Sequence, residues 1–139
     1  MQTSFASAGA FFAKIRAVAN AASGGGTLPQ LGSALGQGLE ALEQATHWLI
    51  ESWPRDKRLA LSGATPYLQL FGLVTGAFLL MRQAEAAQVR RNGADQTFLD
   101  GKITAARFFC DNLLPAAAGL ATTVTAGGPS TLELPEEDF

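Results

Sequence analysis

The chain has 139 residues, a formal net charge of −2 and 47% hydrophobic residues, enough for one domain with a core of its own. Its Lys and Arg residues are mixed with the acidic ones and form no stripe, which argues against nucleic-acid binding. Cys110 stands alone, so an intrachain disulfide is ruled out and the redox compartment stays open. Ala, Leu and Gly dominate while β-branched residues are few, which favours helix over strand.

The first helix is expected over roughly Phe5 to Ala21, where Phe5, Ala8, Phe12, Ile15 and Ala19 step by three and four. Lys14 and Arg16 follow Phe11 and Phe12, whereas a secretory signal carries its basic residues ahead of the apolar run. The stretch therefore reads as an amphipathic helix, and the expected location is cytoplasmic. Use of this helix as a peripheral membrane anchor is disfavoured, because two cations make a weak basic face. Ser23-Gly24-Gly25-Gly26 ends the helix, and Thr27 is placed to cap the next.

The second helix is expected from about Leu28 to Ser52, with Leu35, Leu39, Leu42, Thr46, Leu49 and Trp53 in heptad-like spacing. Gly32, Gly36 and Gly38 either let a neighbouring helix come close or leave a bent, frayed start. Pro54 ends the helix by pushing Trp53 out of the α region.

Asp56 and the Thr65-Pro66 pair both offer starts for a third helix. One helix from Asp56, kinked near Pro66, satisfies both. Asn92-Gly93 stops it, with Arg90 and Arg91 suited to its C-terminal dipole. Its centre, Ala64 to Arg82, is apolar nearly all round, as in a buried helix. The unbroken apolar part is shorter than the ~20 residues that span hydrocarbon. A core position, with no membrane partner, is the expectation.

Asp95 caps a fourth helix whose stripe is Leu99, Ile103, Ala106, Cys110 and Leu113. Pro115 kinks it or opens a short fifth helix, Ala116 to Thr125. Gly127-Gly128-Pro129 is expected to end regular structure. The domain then covers residues 1–128, and 129–139 form an acidic tail. The predicted fold is all-α: an antiparallel up-down bundle of four main helices, with a possible short fifth.

Little in the sequence marks a reaction. His47 is the only histidine, with Glu43 and Glu51 one turn away on either side. It is a proton shuttle or metal ligand in one reading and a solvated surface residue in the other. The surface reading is favoured, because metal sites want three or four converging ligands. Cys110 lies on an apolar stripe with no second histidine to activate it, which points to a buried thiol rather than a nucleophile. Walker A, GxGxxG and HExxH patterns are absent. No catalytic, cofactor-binding or metal-binding residue is assigned. Gly72 and Gly76 form a GxxxG pair expected to let a neighbouring helix cross closely.

Two longer-range expectations follow from the pattern. On a helical wheel Glu85 lies along the apolar stripe of the third helix, and Lys102 beside that of the fourth. Both stand equally far from the turn at 92–95. A cross-helix ion pair between them is expected, with Arg107 or Arg82 as substitutes. The same register pairs Phe78 with Phe109. A homodimer contact is expected on the first helix at Phe5, Phe11 and Phe12.

Ala64-Thr65-Pro66-Tyr67-Leu68, Leu70-Phe71-Gly72, Phe98-Leu99-Asp100-Gly101-Lys102, Ala105-Ala106-Arg107-Phe108-Phe109 and Leu113-Leu114-Pro115 resemble, in order and spacing, the C-terminal helical domain of a subgroup of acyl-CoA dehydrogenases. That subgroup includes enzymes of the 3-methylmercaptopropionyl-CoA dehydrogenase type. The first half of the chain matches only as Ala/Leu-rich helix. The resemblance implies a parent flavoprotein of fatty-acid metabolism that dehydrogenates an acyl-CoA thioester. In it a glutamate removes the α-proton, FAD takes the β-hydride, and an electron-transfer flavoprotein or similar acceptor follows. The base and most flavin contacts belong to the catalytic body, so none is carried onto this chain. The implied partner is that body, and FAD is implied only for the parent. The alternative is a stand-alone helical interaction module.

Overall fold

A computed structural model describes residues 2–24, 28–90 and 95–138, with side chains from residue 6 onward in the first stretch. It contains α1 (Gln2–Ser23), α2 (Pro29–Ser52), α3 (Lys57–Ser62), α4 (Ala64–Val89), α5 (Gln96–Asn112), α6 (Ala116–Ala126) and α7 (Gly128–Glu133), and no strand among the described residues. The all-α reading holds. Thr27, Arg91 and the Asn92-Gly93 stop lie outside the described residues, as does the side chain of Phe5.

α1 runs against α2 in the opposite direction: Gly32 meets Ala19 and Ala22, and eleven residues further on Glu43 meets Arg16. α4 also runs antiparallel to α2, with Gly38 near Val74 and Thr46 at Tyr67. α6 lies against both α2 and α4. The fifth helix is thus a wall of the core, burying Ala117, Ala121 and Val124. Leu35, Leu39 and Leu42 of α2, Leu70, Val74 and Met81 of α4, and Ile15 of α1 form the fully enclosed centre. α5 lies along α4 and buries Leu99, Ala106 and Cys110.

Two helix ends differ from the sequence expectation. The kinked helix from Asp56 is two helices, α3 and α4, meeting at Gly63. Of the two start signals, Asp56 serves as a cap, whereas Thr65 does not: Gly63 occupies the N-cap of α4 without a side-chain bond, and Thr65 lies inside the helix. The Asp56 carboxylate caps α3, accepting from the amides of Arg58 and Leu59 at 3.0 and 3.2 Å. Pro66 sits in the first turn of α4, where its missing N–H costs no helical bond. Trp53, expected outside the α region, stays within it at φ −52°, ψ −48°. The chain turns after it because Arg55 and Asp56 both donate to the Ser52 carbonyl, at 3.0 and 2.8 Å, which closes the end of α2 without the missing amide of Pro54.

Regular structure also continues past Gly127-Gly128-Pro129. α7 packs on α3, with Gly128 against Leu59 and Ser62. A side chain at Gly128 would overlap both. The expected tail therefore begins as a docked helix, and a short 3-10 turn, Glu136–Asp138, follows it.

α4 is long and apolar enough to cross a membrane by length and composition alone. In this fold one side of it carries the core stripe Leu70, Val74, Ala77, Phe78, Met81, Ala84 and Ala87. Its opposite side leaves Leu68, Gly72 and Leu79 open.

Candidate functional site

The corner where α2 gives way to α3 and α4 does not close. Leu49, Ile50 and Trp53 of α2 face Leu61 of α3 and Tyr67 and Leu68 of α4 across an open groove of about 650 Å³. One side is fixed by a hydroxyl pair. Thr46 Oγ1 donates to the Leu42 carbonyl at 2.7 Å, so its oxygen accepts the Tyr67 hydroxyl proton, also at 2.7 Å. Leu61 is 58% and Leu68 72% exposed. Apolar side chains left out singly are ordinary, whereas several lining one groove mark a contact surface.

The Trp53 end of this groove is basic. Lys57 Nζ stands 5.7 Å from the Trp53 ring centroid, a cation–π arrangement. Arg55 and Arg58 flank it and are exposed. Asp56, the acidic residue among them, has its carboxylate engaged as the α3 cap. Among the described residues none of these three cations makes an ion pair; the pair observed is Arg16 to Glu43 at 2.8 Å.

A second apolar surface lies on the open sides of α4 and α5. α4 presents Leu68, Gly72 and Leu79, and α5 presents Phe98 and Phe108. Lys102 Nζ covers part of Phe98, at 5.2 Å from its ring centroid.

Several predicted site residues are placed elsewhere than expected. Phe11 and Phe12 are not an outward contact. Phe11 stacks on Phe71 and meets Phe78 edge-on, each at 5.9 Å between centroids, and Phe12 is buried beside Phe71. They close the core because α4 supplies a row of rings, Tyr67, Phe71 and Phe78, opposite them. The GxxxG pair divides: a Cβ at Gly76 would lie 3.1 Å from the Phe109 ring, while nothing stands within 4 Å of one at Gly72. α5 reaches one glycine and not the other. Phe109 accordingly sits over Gly76, and the aromatic partner of Phe78 is Phe11 of α1.

The Glu85–Lys102 ion pair is absent among the described residues, and neither Arg82 nor Arg107 replaces it within 4 Å. Lys102 turns to Phe98, Arg82 lies over Phe78, and Arg107 is exposed. Burial raises the Glu85 pKa, with the Arg82 charge opposing it. A raised folded-state pKa means that the native state binds the proton more tightly than the unfolded one. Glu85 therefore weakens stability as pH rises above the unfolded glutamate value, up through its raised folded value. Glu85→Gln is expected to stabilise the protein at pH 7 relative to pH 4. Urea titrations at both pH values check this, and an unchanged pH dependence would remove Glu85 as its source.

His47 is exposed on α2, which fits its reading as a surface residue. Cys110 is buried beside a small cavity of about 120 Å³ also lined by Gly38 and Leu114. Burial, and then Asp111, push its thiol pKa up to about 11, which keeps it protonated and a poor nucleophile. No group of three or more metal-ligating side chains occurs among the described residues.

The architecture is that of an all-α domain whose most distinctive surface is apolar and open. Residues 11–135 match the family model described as acetyl-CoA dehydrogenase C-terminal like, and the chain belongs to this family. The match includes the first half, where only unspecific helical sequence was legible, and extends through α7. No curated protein and no solved structure matches the chain.

Proposed function

We propose that this chain is the accessory C-terminal domain of a cytoplasmic, FAD-dependent acyl-CoA dehydrogenase of the 3-methylmercaptopropionyl-CoA dehydrogenase subgroup. The family match over residues 11–135 carries this reading. In it, the α,β-dehydrogenation of an acyl-CoA thioester and the flavin both belong to the catalytic body. This domain contributes a rigid helical block that packs on that body or at its subunit interface.

The apolar sides of α4 and α5 support the packing role. Leu79 and Phe108 are 53% and 60% exposed, and covering that remaining part contributes about half of the roughly 1.5–3 kcal/mol that full burial of such a side chain gives. The open apolar surface also fits pairing of two copies into a homodimer.

The reading is tested by mixing the purified chain with FAD and with the catalytic body of an acyl-CoA dehydrogenase of this family lacking its own C-terminal domain. The chain alone is expected to retain no flavin in its visible spectrum. It is expected to co-elute with the flavin-loaded body, and Leu79→Glu to abolish co-elution. Stoichiometric flavin on the isolated chain, or no association with the body, would count against it.

A further inference from the structure

We propose that the basic-rimmed groove between α2, α3 and α4 of one copy receives the acidic segment Glu133–Asp138 of a second copy, and that the exchange is reciprocal. The inference rests on the homodimer part of the reading above and not on the acyl-CoA dehydrogenase part.

The two surfaces complement each other in charge and polarity. The groove offers Leu61, Leu68 and Trp53 as apolar walls, with Lys57 over the Trp53 ring at one end and the exposed Arg55 and Arg58 beside Lys57 in sequence. The segment carries Glu133, Glu136, Glu137 and Asp138 with no basic residue among them. Leu134 gives it an apolar anchor, 49% exposed and in extended backbone at φ −84°, ψ 119°. A segment with one aliphatic anchor and carboxylates on either side of it suits a groove with apolar walls and a cationic end.

Within one copy no residue of the segment lines the groove. α7, which leads into the segment, begins at Gly128 on the Leu59 and Ser62 side of α3, whereas the groove uses Leu61. At 100° per residue Leu61 stands roughly 200° around α3 from Leu59. α3 thus has the root of the chain's own tail on one side and the open groove on the other. Among the described residues none of the four carboxylates reaches a cation. Two copies related by a two-fold axis at this corner would each supply what the other lacks, as an isologous contact requires.

Sedimentation equilibrium of the full chain tests the proposal, at roughly 0.05 M and 0.5 M salt. A dimer is expected at low salt, weakened at high salt. Reversing the groove charges (Lys57→Glu with Arg58→Glu) should weaken dimerisation roughly tenfold or more, and reversing the tail (Glu136→Lys with Glu137→Lys) should do the same. Combining both reversals should restore it. Far-UV circular dichroism checks that each variant is folded. Should a reversal variant fail to fold, Leu61→Ser and Leu134→Ser give the same readout through the apolar contact. A dimer indifferent to all these changes would overturn the proposal and leave the homodimer reading standing. A monomer at every concentration would overturn both, while the reading as an accessory domain would stand on its own test.

Discussion

Phe78→Ala is expected to destabilise the isolated domain by about 3–5 kcal/mol, the range for emptying a buried aromatic site. Phe78 is 4% exposed. Its ring meets Phe11 edge-on at 87°, and Arg82 lies 5.8 Å from its centroid. The substitution removes a ring that joins α1 to α4, so the loss includes contacts on both helices and the cavity left between them. A domain of this kind is stable by roughly 5–15 kcal/mol in all, so the unfolding midpoint in urea should fall by a large fraction. Phe98→Ala is the control. That ring is 61% exposed with the Lys102 cation over it, and its loss should cost about 1 kcal/mol or less. Equal costs for the two would remove Phe78 from the core.

Gly32→Leu is expected to be nearly as damaging, at about 3 kcal/mol, the upper part of the overpacking range. A Cβ at this position would lie 2.7 Å from the Ala19 carbonyl oxygen, 2.7 Å from Ser23 Oγ and 2.8 Å from the Ala22 Cβ. The first of these is backbone, and the Ser23 hydroxyl is tied to that same oxygen at 2.8 Å. The carbonyl cannot move without separating α1 from α2, and the hydroxyl moves only by giving up that bond. Gly32→Ala should therefore also destabilise, by a smaller amount, because the roughly 1 kcal/mol gained in helix propensity offsets part of the clash. Gly72→Ala meets nothing and should show the propensity gain alone. Thermal melts of the three variants compare these signs directly. An unaltered melting temperature for Gly32→Leu would mean that the two helices do not approach there.

The sequence by itself determined where most helices lie. Apolar residues spaced by three and four marked α1, α2 and α5, and Gly and Pro punctuated them, because these signals act within a turn or two of chain. Asp56 was legible as a cap for the same reason, and the family resemblance was legible in α4 and α5 because its motifs are local. The groove was not legible. Its walls come from α2, α3 and α4, and it exists only because Gly63 breaks the expected single helix into two that splay at that corner.

The faces of α4 were likewise left to the tertiary structure. A helix apolar nearly all round gives a wheel no preferred direction, so the sequence could not say which residues would meet α1, which would meet α5 and which would stay open. Packing decided it. The rings of α1 and α4 found each other, which took Phe11 and Phe12 out of any outward contact. Phe109 took the space over Gly76 and left Gly72 bare. Glu85 was left without an ion pair among the described residues, because Lys102 and Arg82 each settled over a nearby ring. Charge patterns place such residues on a helix, but only the arrangement of the neighbouring helices decides which partner is close enough to hold them.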